Sequence, residues 1–182
     1  MAPRNCKLTD PEQGNFSFLD LVTFRLSGPY WWKNDDYNSE QGKVSVFRAY
    51  AREDDHDVDP EVASVTIADA TLDPTEPDVS ALQEADVPAI DRTLLEGTEA
   101  QLIAEGRTMV RWMSSKLNQT DRVKGLVTVY IVGEHGQQRQ CIALRLTSKA
   151  RKIVVIGVFD LAKKDALASL IFGVMRDMVV LP

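Results

Sequence analysis

Lys152-Ile153-Val154-Val155-Ile156-Gly157-Val158-Phe159-Asp160, followed after a short link by Leu167, Leu170, Ile171, Val174, Met175 and Met178, is the stretch on which the fold turns. Its first part is apolar at consecutive positions, so both of its faces need cover, as in a central strand. In its second part the apolar residues recur at offsets of 0, 3, 4, 7, 8 and 11, the stripe of an amphipathic helix. Each such side chain contributes about 1.5–3 kcal/mol when fully buried, which requires the helix to dock on the sheet. Upstream, Gln140 to Thr147 alternates Ile142, Leu144 and Leu146 against Cys141, Ala143 and Arg145, the period of two of a strand. Leu126 to Val132 is a further β-rich run, joined to it through the short Gly133-Glu134-His135-Gly136 connection of a hairpin. The C-terminal third therefore reads as an antiparallel three-strand meander closed by a helix.

Earlier in the chain, strands are expected at Asp20–Leu26, Lys43–Tyr50 and Glu61–Ala68. Gly28-Pro29 stops the first, and Tyr30-Trp31-Trp32 is expected in a non-regular segment before the polar Lys33-Asn34-Asp35-Asp36. Asp73 to Ala85, with Pro74, Pro77 and several acids, reads as a surface connection. Asp86 then has the character of an N-cap with Pro88 in the first turn of a helix running to Leu95, where Gly97 is a candidate stop. Thr98 and Gln101 form a capping-box pattern, and Leu102, Gly106, Met109, Met113 and Leu117 continue a helical stripe to Asn118, as one kinked helix or two. The order is β-β-β-α-β-β-β-α. The expectation is one α+β domain over residues 1–182, an antiparallel sheet of about six strands with both helices on one face, a loose tail at 1–14 and an acidic surface connection at 73–85.

A chain of 182 residues, 44% hydrophobic and 26% charged, is long enough for a sizeable core and close to globular averages. No apolar run approaches the length of a membrane span. The first residues show no apolar core behind their positive charge, so a cytoplasmic location is expected for the chain as written, or a periplasmic one if a leader has been removed. Cys6 and Cys141 read as two ordinary thiols, one in the tail and one in a strand. The net charge of −6 is unevenly spread: residues 53–99 carry Arg92 alone against fifteen Asp and Glu, whereas residues 100–182 are basic. Such asymmetry bears on partners rather than on fold.

The residue types that do chemistry are present without the company they need. Asp54, Asp55, His56, Asp57 and Asp59 could supply oxygen ligands, but the glycine and glutamate of a calcium loop are not in place, and the stretch reads as a solvated turn. His135 sits in a hairpin tip with no nucleophile-elbow sequence near it. No glycine-rich phosphate cradle occurs. The basic residues of the C-terminal half serve to balance the acidic middle rather than to hold nucleic acid. No catalytic residue, cofactor or metal is therefore expected. The candidate partner-binding residues are the aromatic Tyr30, Trp31 and Trp32 and the acidic Asp35, Asp36, Glu53, Asp54, Asp55, Asp57 and Asp59.

Phe24-Arg25-Leu26 followed by Pro29 and Trp31-Trp32 resembles the early strand, proline and tryptophan stretch of PsbP-like domains, including small bacterial proteins of the DcrB kind. The helix expected before Asn118, the hairpin strands, and the closing strand, loop and helix from Ile153 to Met178 are similar to their layout, while the long acidic insertion after Leu72 departs from it. The resemblance implies a non-catalytic accessory or binding module and carries over no site residues. The expected function is binding of another protein with a basic surface, in the manner of a bacterial immunity protein that neutralises a toxin. The alternatives are a secretion chaperone for an effector, and a hydrolase or metal-dependent enzyme using His56 or His135.

Overall fold

The computed structural model describes residues 14–26, 30–39, 42–51, 61–72, 77–120 and 123–181. Among them are ten strands and two helices: β1 (Gly14–Phe18), β2 (Val22–Leu26), β3 (Trp31–Asn38), β4 (Lys43–Tyr50), β5 (Ala63–Thr71), α1 (Val87–Ala104), β6 (Thr108–Gln119), β7 (Lys124–Glu134), β8 (Gln137–Ser148), β9 (Arg151–Asp160), α2 (Lys164–Arg176) and β10 (Val179–Val180). The class is α+β and the pairing is antiparallel throughout. A seven-stranded sheet has the order β3-β4-β5-β9-β8-β7-β6, and a three-stranded sheet has the order β1-β2-β10.

β9 lies at the middle of the large sheet, which is why its sequence is apolar on both faces. On one face Ile153, Val155 and Phe159 join Ile142, Leu144 and Leu146 of β8 and Val65 and Ile67 of β5. Leu167, Ile171, Val174 and Met175 of α2 pack on this face, as do Val22, Phe24 and Leu26 of the small sheet. Phe16, Phe24 and Phe47 meet there with ring centroids 5.1–5.6 Å apart, an aromatic contact that binds the small sheet to β4. On the other face Tyr130, Val132, Cys141 and Ala143 receive Leu102 of α1, and Leu126 packs with Val79, Leu82 and Val87. The two helices thus cover opposite faces rather than one. The central strand's two apolar faces demand this, since a single layer would leave one of them wet.

The greatest departure from the sequence expectation is at residues 105–119, which are not helical. Gly106 takes a φ of +72°, Gly106 N–H donates to the Ile103 carbonyl (3.0 Å) and Arg107 N–H to the Leu102 carbonyl (2.8 Å). This is the paired 5→2 and 6→1 bonding that ends a helix on a glycine. The chain then enters β6, whose register against β7 shifts between Met109 and Arg111 and again between Met113 and Lys116. Each bulge adds a residue to one strand and breaks the period of two, so the apolar residues of β6 fall at three- and four-residue spacings that imitate a helix. Gly97, by contrast, lies within α1 and does not stop it.

Smaller corrections have equally local causes. The first expected strand is found as β2, the second arm of a hairpin, with Leu19 and Asp20 both at a φ of 52° in the three-residue connection 19–21 that joins it to β1. Trp31 and Trp32 open β3 by pairing with Tyr50 and Ala49 of β4, so they are not in irregular chain. Of the expected surface connection, residues 73–76 lie outside the described residues, and Val79 and Leu82 are buried anchors. Asp86 is the N-cap of α1, as expected, and it also ends a short 3-10 turn (Glu84–Asp86) in which its carboxylate accepts from Gln83 N–H (2.8 Å). Residues 1–13 of the expected tail also lie outside the described residues.

Candidate functional site

The aromatic and acidic candidates on β3 are divided by its pleat. Trp32 faces the core and is 3% exposed, while Trp31 and Tyr30 are half-buried. Asp35 is paired with Arg48, whose Nε lies 3.1 Å from Glu61, and Glu61 is in turn 3.4 Å from Arg139. Asp36 accepts from Ser45 Oγ (2.6 Å) and lies 3.6 Å from Lys43 Nζ. The carboxylates of β3 are therefore balanced within the fold. Glu53, Asp54, Asp55, His56, Asp57 and Asp59 lie outside the described residues.

Beneath α1 is a buried polar cluster whose groups hold the structure rather than react. Trp112 stacks on Tyr130 at 5.6 Å. Burial pushes the Cys141 thiol up to about 11, against the lowering pull of Arg107 and of the hydrogen bond from Tyr130, so at neutral pH it is a thiol and not a nucleophilic thiolate. Burial, then the neighbouring Cys141, likewise pushes the Tyr130 phenol upward. His135, at the tip of the β7–β8 hairpin with a φ of 48°, is exposed.

Asp91 fastens α1 to the second bulge of β6. Its carboxylate accepts from Ser115 N–H (2.6 Å) and from Trp112 Nε1–H (3.1 Å), and Ser115 Oγ is 2.7 Å from Thr128 Oγ1 of β7. Burial acts to raise the Asp91 carboxyl, but the hydrogen bonds from Ser115 and Trp112 outweigh it and hold it below its ordinary value. A carboxylate depressed in the fold contributes stability that is present above its unfolded-state value and is lost as pH falls through the lower folded value. Asp91→Asn keeps the acceptor and removes the charge, so its unfolding free energy is expected to vary less than the parent's between pH 5 and 2. Asp91→Ala orphans two donors and is expected to cost roughly 1.5–3 kcal/mol at pH 7. Urea midpoints against pH check both, and parallel pH profiles for parent and Asp91→Asn would contradict the assignment.

The surface that sequence reasoning missed lies beside α2. This helix packs on β8, β9 and β2 and leaves β7 and β6 bare on the same face. The result is an open groove of about 820 Å³. Val127, Val129 and Leu144 form its floor, and Phe172 and Met175 form its wall. Met113 and Lys116 of β6 make the opposite rim, with Arg176 at the end of α2. Phe172 is 45% exposed and Met113 43% exposed, which is high for large apolar side chains on one surface. In the sequence Phe172 falls outside the buried stripe of α2, which by itself does not distinguish it from an incidental exposed apolar residue.

Among the described residues no cluster of three or more His, Cys, Asp or Glu could hold a metal ion, and no helix is long and apolar enough to cross a membrane. No family model and no curated protein sequence matches the chain. Among solved structures, the solution structure of cyanobacterial PsbP (CyanoP) from Synechocystis sp. PCC 6803 aligns with a TM-score of 0.62 at 14% identity, over 91% of both chains. A protein of unknown function from Pseudomonas aeruginosa, described as a putative regulator, aligns with a TM-score of 0.51 at 16% identity, over 89% of this chain and 99% of its own. At such identities the likeness is one of fold, and the chain is distantly similar in architecture to PsbP-like proteins.

Proposed function

We propose that this chain is a non-catalytic protein-binding module of the accessory or neutralising kind, which takes up a segment of another protein between α2 and the β6–β7 edge. The bare apolar floor of the groove is the observation that carries this reading. Each Å² of apolar surface removed from water there contributes on the order of 25 cal/mol, and large side chains in such clefts carry most of the energy of protein interfaces. A trough this open encloses too little of a small molecule to hold it tightly, whereas an extended segment would fill its length. The inert Cys141 thiol and the exposed His135 support the non-catalytic part of the reading.

The groove favours one form of accessory role over another. A cap for a basic active site, as in a toxin-neutralising immunity protein, would use an acidic face. An effector chaperone would use an apolar trough to shield an extended segment, and the groove is apolar with Lys116 and Arg176 at its rim. A photo-crosslinking residue placed at Met113 or Phe172 in the expressing cell is expected to trap a protein partner, while one at the exposed Tyr37 of β3 is not. Adducts from position 37 alone would overturn this assignment of the surface.

A further inference from the structure

We propose, resting on the protein-binding reading above, that the groove selects an acidic partner: an extended segment in which apolar side chains alternate with carboxylates. Lys116 and Arg176 are the charged residues that line the groove, and both are cationic. Arg111 stands opposite Ile131 in the register, on the same face of β6 as Met113, which stands opposite Val129. It extends the basic rim past the groove's end. Arg176 is held by Asp177, with Nε to Oδ1 at 2.9 Å. Arg111 and Lys116 have no ionic partner among the described residues. A row of cations beside a bare apolar floor matches a strand-like segment with the opposite pattern, because opposite charges along a rim set partner choice and register.

The same charges disfavour a second copy of this chain as the occupant. β6 is the last strand of the large sheet, and its free edge is the natural place for two copies to pair. Antiparallel pairing about a two-fold axis between Met113 and Ser114 would set Arg111 of each copy beside Lys116 of the other, like charge against like. The two bulges of β6 also break its edge into short pieces, so a continuous backbone ladder cannot supply the affinity. Side-chain chemistry in the groove has to supply it instead.

The test uses the full chain and three fluorescein-labelled decapeptides, alternating valine with glutamate, valine with lysine, and serine with glutamate, followed by fluorescence anisotropy. At low salt the valine–glutamate peptide is expected to bind about tenfold more tightly than either other peptide, with its preference over the valine–lysine peptide shrinking as salt rises. Arg111→Glu with Lys116→Glu, both at exposed positions, is expected to reverse the order of the two valine peptides. Equal binding of the two valine peptides, weakened alike by Met113→Ser with Phe172→Ser, would overturn the acidic preference and leave the protein-binding reading standing. Equal binding of the serine–glutamate peptide would show charge attraction without the groove and overturn the inference. So would absence of binding by all three, in which case the crosslinking result decides the broader reading alone. A chain that sediments as a dimer, and becomes monomeric in Met113→Glu, would assign the groove to a second copy.

Discussion

Gly157→Ala is expected to destabilise the protein by about 1–3 kcal/mol, the range for overpacking a well-filled core, although alanine is ordinarily better than glycine within a strand. Gly157 sits on the central strand β9, between Ile142 of β8 and Val65 of β5. A Cβ built there would lie 2.1 Å from Ile171 Cγ2 and 3.3 Å from Ile171 Cβ. Ile171 is fully buried on α2, so its branched carbon has nowhere to go unless the helix lifts. Ile171→Ala alone is expected to cost roughly 2–5 kcal/mol, through lost burial and the void it leaves. The double variant places the new methyl in that void, and its cost should fall below the sum of the two single costs by about 1 kcal/mol or more. Urea unfolding of the four proteins measures the cycle, and additive costs would show that Gly157 and Ile171 are not in the tight contact described. There is a functional corollary. α2 carries Phe172 and Met175, the wall of the groove, so Gly157→Ala is also expected to weaken peptide binding under conditions where the variant remains folded.

The same glycine shows what was legible in the sequence. The run Ile153 to Phe159 announces a strand covered on both faces, and the 3–4 spacing from Leu167 announces a helix with one buried stripe; both are found, although α2 ends at Arg176 and Met178 is buried just beyond it. A hydrophobic stripe states that a helix docks but not on which face of a sheet. That choice depends on where the other helix lies, through contacts between residues distant in sequence. The pairing of β5 with β9 is of this kind: it joins Ala63–Thr71 to Arg151–Phe159 at sequence separations of 80 to 96, and no local period signals it. β6 failed for a different reason. Its bulges shift the side chains by one residue twice, and Met109, Met113 and Leu117 then lie at helical intervals. Gly106 itself was a counter-signal, since a glycine within an apparent helical stripe is a candidate terminus, but Gly97 carried the same signal and lies inside α1.

The candidate site was less legible than the fold. Tyr30, Trp31 and Trp32 attract attention because aromatic residues are frequent in interfaces, yet Trp32 is needed to close the core against Ala49 and Phe47. Asp35 and Asp36 look available in sequence, but their counter-ions, Arg48 and Lys43, stand on the neighbouring strand, and cross-strand neighbours are invisible until the register is known. The groove is a negative feature. It exists because α2 stops short of β6 and β7, and no residue type marks the place where a helix fails to cover a sheet. Phe172 and Met113 become conspicuous only after their surroundings are known to be empty.

The second large effect is expected at Asp69, a carboxylate that ties three strands together. It lies near the end of β5 with its side chain 1% exposed, and it is ion-paired with Arg151 at the start of β9. Its other oxygen accepts from Lys43 N–H at the start of β4 (2.7 Å). The neighbouring Gly42 is packed so closely that a Cβ there would lie 2.1 Å from the Asp69 carbonyl oxygen, so the chain at Gly42 lies directly against Asp69. Breaking a buried ion pair by removing one partner costs about 3–5 kcal/mol. Arg151 is 34% exposed and also donates to Thr71 Oγ1 at 3.2 Å, so it can turn partly to water when it loses Asp69. Asp69→Ala is therefore expected to cost roughly 2–4 kcal/mol, at the lower side of that range. Asp69→Asn retains an acceptor for Lys43 N–H and should recover about 0.5–1.5 kcal/mol of the loss, the net worth of one ordinary hydrogen bond. Arg151→Ala leaves a nearly inaccessible carboxylate without its cation and should be as harmful as Asp69→Ala, while the double variant should cost clearly less than the sum. Denaturant midpoints at neutral pH decide the matter. Three variants within about 0.5 kcal/mol of the parent would mean that Asp69 holds no strand in place.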